Sequence, residues 1–262
     1  MGTKFSTRIW VSVVGIASIF LGSKGYADTV ISVADFGLKP DTRENAVAYV
    51  QKAIEACRGK EPVTLVFPEG RYDFWPQYAH EKNYYETNTY DVFPKRLAML
   101  FEGLHNITVD GNGSQFVMHD RIQPITVENC DGVTLKNFSI DWDIPLTAQA
   151  RVTKVGSDFF EIGINVLESP YIIEDGKLVF VGEGWKSALG SMIEFESDTH
   201  FVVPGTGDLV LGWNWGDYTA VSPRYGIVRL SRKGGFERYP AEGNWLVLRH
   251  STRDHAGIFI CG

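Results

Sequence analysis

The stretch Leu104-His105-Asn106-Ile107-Thr108-Val109-Asp110-Gly111 is answered further along by Asp131-Gly132-Val133-Thr134-Leu135-Lys136-Asn137. Ile107 and Val133, the matching positions, lie 26 residues apart. Between them fall Phe116-Val117-Met118 and Ile125-Thr126-Val127, and after them Phe138-Ser139-Ile140. Each run carries apolar side chains at alternate positions, the period of a strand with one face turned inward. Strands this short cannot pair as long hairpins. Three of them per repeat of ~26 residues, with polar turns between, suit a chain wound into triangular coils that stack through parallel ladders ~4.8 Å apart. Asn106, Asn129 and Asn137 stand at strand ends, where Asn tolerates a left-handed backbone. A Greek-key sandwich would leave the echo unexplained.

Outward from this core the pattern changes twice. Toward the N-terminus, Val30–Val33 reads as a short strand and Ala34-Asp35-Phe36-Gly37 as a turn. A helix over 42–57 follows, capped by Asp41 and Thr42, with Ala46, Val50, Ala53, Ile54 and Cys57 on one face. An open coil end exposes unpaired backbone groups, and this helix is placed to cover them. Val63–Phe67 is a continuously apolar strand, and Arg71–Phe74 resumes an extended run. Residues 76–94 form a long polar loop. Toward the C-terminus the echo is lost from residue 146. Ala148–Val155 and Phe159–Val166 flank Gly156-Ser157-Asp158 as a β-hairpin, and strands near 177–181, 192–195, 199–203, 208–211 and 226–230 suggest a small antiparallel barrel or sandwich. Coil-like runs return at Trp245–Leu248 and Gly257–Ile260, and the pattern stops mid-strand at Gly262, as in a truncated chain.

Composition narrows the function. A net charge of −7 with no Lys/Arg cluster excludes a nucleic-acid footprint and counts against a polyanionic substrate. Aromatics make up 13% of the chain, as packing or as flat rings for sugars. Cys57, Cys130 and Cys261 show no paired spacing, so neither zinc nor a redox pair is expected. No phosphate loop appears and no dense acidic run for calcium, so no metal and no cofactor is expected. Lys4 and Arg8, the apolar stretch Ile9–Leu21 and Gly25-Tyr26-Ala27 read as an export signal cut before Asp28. That stretch is shorter than the ~18 residues of a comfortable bilayer span, so no stable membrane span is expected.

Two groups of residues invite a site. Asp141 and Asp143 flank Trp142 at a strand end and share a side, either lining a sugar groove or forming a solvated turn beside a packed Trp. Arg249, His250, Arg253, Asp254 and His255 crowd seven positions; they can donate to hydroxyls or to a carboxylate, or stabilise a turn among themselves.

Val33-Ala34-Asp35-Phe36-Gly37, Asp41-Thr42, Gln51–Ile54 and Val66–Tyr72, in that order, resemble the entry signature of the pectin-lyase-like right-handed β-helix superfamily. Within it, Phe67–Trp75, Asn137–Asp143 and the run from Arg249-His250 through Arg253-Asp254-His255 to Phe259 are similar to glycoside hydrolase family 110, secreted bacterial α-1,3-galactosidases. The resemblance implies an all-β chain: a right-handed parallel β-helix with an N-terminal capping helix and an inserted antiparallel β-barrel or sandwich. Residues 1–27 are then the signal peptide, 28–145 the cap and first coils, 146–244 the insertion, and 245–262 the return to the helix. It also implies exo-hydrolysis of terminal α-1,3-linked galactose with inversion, a glycan as partner, export from a bacterial cell, and catalytic carboxylates beyond Gly262. Asp141, Trp142, Asp143, Arg249, His250, Arg253 and His255 are the expected substrate contacts. A polygalacturonase-like pectinase and a non-catalytic glycan-binding β-helix are the alternatives.

Overall fold

Alternating burial along short strands is what holds the first half together. The computed structural model describes residues 29–86, 94–205, 208–210, 218–250 and 256–262; the leader read at 1–27, Arg253 and His255 lie outside them. In chain order come β1 (Thr29–Ser32), a 3-10 turn at Val33–Phe36, α1 (Val47–Cys57), β2 (Val63–Val66), β3 (Arg71–Phe74), β4 (His80–Lys82), β5 (Lys95–Glu102), β6 (His105–Met118), β7 (Gln123–Glu128) and β8 (Asp131–Trp142). β1, β2, β6 and β8 pair side by side and all in parallel, and β3 runs parallel to the second half of β6. β5 pairs in parallel with β7 in a second sheet.

The register of these ladders stacks like on like. Val63, Ile107 and Val133 share one column, Leu65, Val109 and Leu135 the next, and Tyr72, Phe116 and Ile140 a third. Their side chains meet in one core with Met99, Phe101, Ile125 and Val127 of the facing sheet. Asn106, Asn129 and Asn137 take φ of 49°, 51° and 59°, the left-handed turn expected of them. The helix is shorter than the sequence suggests and begins at Val47. Asp41, read as its cap, instead accepts a hydrogen bond from the Arg71 amide (2.9 Å), and Asn45 Oδ1 accepts from the Val47 amide (3.1 Å). Val47, Val50, Ala53, Ile54 and Cys57 still face the core, and burial pushes the Cys57 thiol up to about 11.

The second half is antiparallel: β9 (Ala148–Val155), β10 (Phe159–Ile164), β11 (Tyr171–Glu174), β12 (Lys177–Gly182), β13 (Trp185–Phe195), β14 (Asp208–Val210), β15 (Tyr218–Arg224), β16 (Ile227–Arg232) and β17 (Trp245–His250). Eight of them follow the order β11-β12-β13-β17-β9-β10-β16-β15, and β14 pairs with β13. Ala220 of β15 donates from its amide to Gly176 beside β12 (2.7 Å), so the sheet curls into a nearly closed barrel around its own core. Finally β18 (Ile258–Cys261) returns to the first half and pairs in parallel with β7.

Two readings need correction. Trp245–Leu248 belongs to the barrel, between β9 and β13, not to the returning coils. Leu246 and Leu248 point inward in either architecture, so alternation could not tell them apart. Residues 199–203 form no strand, only a bridge from Val202 to Phe195.

Phe116 has ring centroids 4.7 Å from Phe67, 5.7 Å from Phe74 and 4.9 Å from Phe138, across three rungs. Phe116→Ala is expected to cost about 3–5 kcal/mol of stability in chemical denaturation. A loss under about 1 kcal/mol would contradict a packed column.

Candidate functional site

The same stacking that builds the core builds a polar column on its outer side. One step beyond Phe74, Met118 and Trp142 the chain continues as Trp75, His119 and Asp143. The His119 amide donates to Phe74 O (2.9 Å) and the Asp143 amide to Met118 O (3.0 Å), which carries the ladder past the strand ends. The Trp75 and His119 rings therefore lie flat on one another, 3.8 Å apart and 11° from parallel.

Beneath them Asp73 is fully buried and is held by two partners, Arg71 and His119. Arg71 holds it through Nε (3.0 Å) and Nη2 (2.5 Å), and His119 Nε2 lies 2.8 Å from Oδ1. Arg71 Nη2 also reaches Asp143 (2.8 Å), and His119 Nδ1 lies 2.7 Å from Glu183 Oε2. A neutral imidazole has a single N–H, so serving both carboxylates takes two N–H donors or a proton on one of the acids. Burial alone would push the Asp73 carboxyl up; the bonds from Arg71 and then His119 outweigh it and hold the group below its usual range. The Asp73 bond in turn pushes the Arg71 guanidinium further up.

Glu183 comes from the barrel, on the turn between β12 and β13, so the cluster spans the two halves. Gly184 makes this approach possible: with φ +75°, a Cβ there would stand 2.5 Å from Asp120 Oδ2. The barrel turn thus sits directly on the turn that follows His119.

Chemically the cluster is a fixed wall of donors and acceptors, with Glu183 and Asp143 partly open to solvent. It suits a ligand rich in hydroxyls. Ligand atoms of His119, Asp143 and Glu183 lie within 4.8 Å of one another, close enough for a cation. Arg71 at 2.8 Å from Asp143, with Arg43 at 3.7 Å, sets two positive charges against that use. A second carboxylate pair, Glu102 and Glu128, faces each other on neighbouring rungs of β5 and β7. Lys82 bridges both and Tyr84 donates to Glu128 (2.5 Å); Lys82 first, then Tyr84, keep Glu128 below its usual range. A general acid needs the opposite shift, and neither Asp73 nor Glu128 has it. Burial does push Glu86 up, against an opposing charge on Lys95.

Of the residues singled out from the sequence, Asp143 enters the cluster. Asp141 turns back, accepting from the Trp142 amide (2.8 Å), and stays in solvent. Trp142 packs on the core of the stack, its buried Nε1 lacking a hydrogen-bond partner among the described residues. Arg249 and His250 stand in the barrel sheet, opposite Ser191 and Leu189 of β13. Sequence reasoning passed over Arg71, Asp73, His119 and Glu183 as site residues. Extending the rung register one residue past Met118 would have found His119 above Trp75; Glu183 left no such signal, because it arrives from another domain.

Comparison with known proteins places both halves. Residues 148–246 match the family described as GLAA-B beta-barrel domain I. The chain is 58% identical, over 89% of its length, to alpha-1,3-galactosidase B of Bacteroides thetaiotaomicron, of which it covers 38%. It is 33% identical to alpha-1,3-galactosidase A of Shewanella woodyi, over 86% of this chain and 36% of that protein. It is 32% identical to alpha-1,3-galactosidase B of Parabacteroides distasonis, over 96% of this chain and 41% of that protein. The chain thus spans about two fifths of the length of these curated relatives.

Removing the charge at the base of the cluster should be costly. Asp73→Asn is expected to lose about 1.5–3 kcal/mol at pH 7, since Arg71 and His119 lose a charged acceptor while Arg71 keeps its bond to Asp143. The folded-state carboxyl sits below its unfolded value of about 3.9, so its contribution is present above that pH and lost as pH falls through the depressed value. The gap between wild type and Asp73→Asn in urea denaturation should therefore close on acidification. Curves that stay parallel from pH 7 to pH 2 would contradict the ion pair.

Proposed function

Because the chain belongs to the alpha-1,3-galactosidase family, we propose that the whole protein is an exported exo-glycosidase that removes terminal α-1,3-linked galactose, including that of blood group B-type glycans. The observation that carries this reading is 58% identity to a protein of that name, running through both the stacked ladders and the barrel. In this reading the parallel ladders are the opening coils of a right-handed β-helix, with the barrel inserted between coils. Among the described residues β8 pairs with β6 alone and β18 with β7 alone, and in this reading the stack extends from their other edges. Parallel rungs ~4.8 Å apart can hold outward carboxylates at either hydrolytic separation, ~5–5.5 Å for retention or ~6.5–9.5 Å for inversion. The proposed outcome is inversion, with the acid and base on coils of the whole protein outside this chain.

The role left to these residues is binding. Asp143 and Glu183 accept from sugar hydroxyls, Arg71 and His119 fix their positions, and Arg249, His250, Arg253 and His255 are the further proposed contacts. The polar but tightly paired cluster supports that division, because Asp73 at its base is buried and held below its usual range by Arg71 and His119, the wrong direction for protonating a leaving oxygen.

The whole protein is expected to release galactose from α-1,3-galactobiose, with β-galactose appearing first by proton NMR. The chain alone is expected to release little or none. Release from polygalacturonate instead would replace the reading with a pectinase; α-galactose as first product would overturn inversion.

A further inference from the structure

The outer wall of the barrel carries a transverse row of residues that the proposed chemistry leaves unused. Register places Phe195 of β13 beside Trp245 of β17, Trp245 beside Arg151 of β9, Arg151 beside Gly163 of β10, and Gly163 beside Ile227 of β16. The four side chains among them point away from the core, and the neighbouring Ala150, Ile162, Val228 and Leu246 point into it. Five adjacent strands span about 19 Å at 4.8 Å per step. Gly163, fourth in the row, has no side chain, so the wall dips there into a trough of about 760 Å³. Trp245 forms one bank; Tyr225, 81% exposed, and Leu167, 85% exposed, form the other. Past Trp245 the depression continues as a cleft of about 430 Å³ lined by Phe195 and His200.

We propose that this trough is a second glycan-binding site, separate from the Asp73–His119 cluster, that takes a neutral galactoside. The trough offers ring faces and branched apolar side chains beside Gln149, Arg151, Asn165 and Glu168, which give hydrogen bonds in both senses. Arg151 lies over the Trp245 ring, 5.6 Å from its centroid, a cation–π contact that braces the indole. One cation and one anion at the floor and rim leave the trough without net charge, which suits an uncharged ligand better than a uronate or a phosphate. An axial O4 leaves galactose with a continuous C–H face across C3, C4 and C5, the shape that lies flat on an indole, while its hydroxyls remain at the edge for polar partners. The backbone at Gly163 has ordinary strand geometry, and a Cβ there would meet Thr153 Cγ2 at 3.3 Å, a side-chain end, Ile227 Cδ1 at 3.5 Å and Arg151 O at 3.8 Å. The absence of a side chain is therefore what keeps the trough open.

The choice of galactoside rests on the galactosidase reading; the trough itself rests on the register. Isothermal titration of the full chain with α-1,3-galactobiose, and with maltose as the glucoside control, separates the two. Wild type is expected to bind the galactobiose and to bind maltose at least about tenfold more weakly. Trp245→Ala should weaken binding at least about tenfold, the loss of one aromatic platform. Gly163→Val, which fills the trough from a position of ordinary strand geometry, should weaken it comparably, with circular dichroism showing the barrel intact. No binding by wild type, equal binding of maltose, or galactobiose affinity unchanged in Gly163→Val overturns the site. Hydrolysis by the whole protein alongside such a result would leave the galactosidase reading standing. Trp245-dependent binding without hydrolysis would do the reverse.

Discussion

Parallel strands in strict register are the constraint on which the first half of this protein depends. Because side chains alternate at a period of two, a slip of one residue between β6 and β8 would turn Val133, Leu135 and Ile140 out and expose the column above Ile107, Val109 and Phe116. The apolar core therefore fixes the register, and the register fixes everything on the outer face. Trp75 lies flat on His119 because they occupy the same place on successive rungs, not because either ring sought the other. A short sequence rule thus produces long-range order, and a hydrogen-bonded cluster inherits its geometry from hydrophobic packing.

The barrel meets this stack at a point where close approach is chemically enforced. Glu183 reaches His119 from a turn whose Gly184, at φ +75°, packs closely against the Asp120 carboxylate. Burying Asp73 would be unfavourable by several kcal/mol if it stood alone, and the network of Arg71, His119, Asp143 and Glu183 is what makes the buried charge tolerable. Such a junction orients one half against the other and presents half-open acceptors at the seam. Rigidity there serves recognition more readily than proton transfer, since Asp73 at its base is held below its usual range by Arg71 and His119.

How far the sequence spoke for itself varied with the distance over which the signal acts. The left-handed turns at Asn106, Asn129 and Asn137 were legible from single residues, and the hairpin of β9 and β10 from Gly156-Ser157-Asp158. The start of α1 was not: Asp41 is a good cap in isolation, but its carboxylate is taken by the Arg71 amide across the fold. Leu246 and Leu248 alternate correctly for either a coil or a barrel strand, so β17 was assigned to the wrong neighbour. Asp143 was found at the site because it ends a strand inside a visible repeat. Glu183 and His119 meet 64 residues apart in sequence, and no local pattern announces such a meeting.

Methyl NOE spectroscopy on selectively labelled Ile, Leu and Val tests the stack most directly. Parallel rungs in register require Ile107 to contact Val133, Val109 to contact Leu135, and Val63 and Leu65 to contact Ile107 and Val109 from the other side. Antiparallel neighbours would exchange the partners, linking Ile107 to Leu135 and Val109 to Val133, and that pattern would contradict the whole arrangement, core and polar column alike.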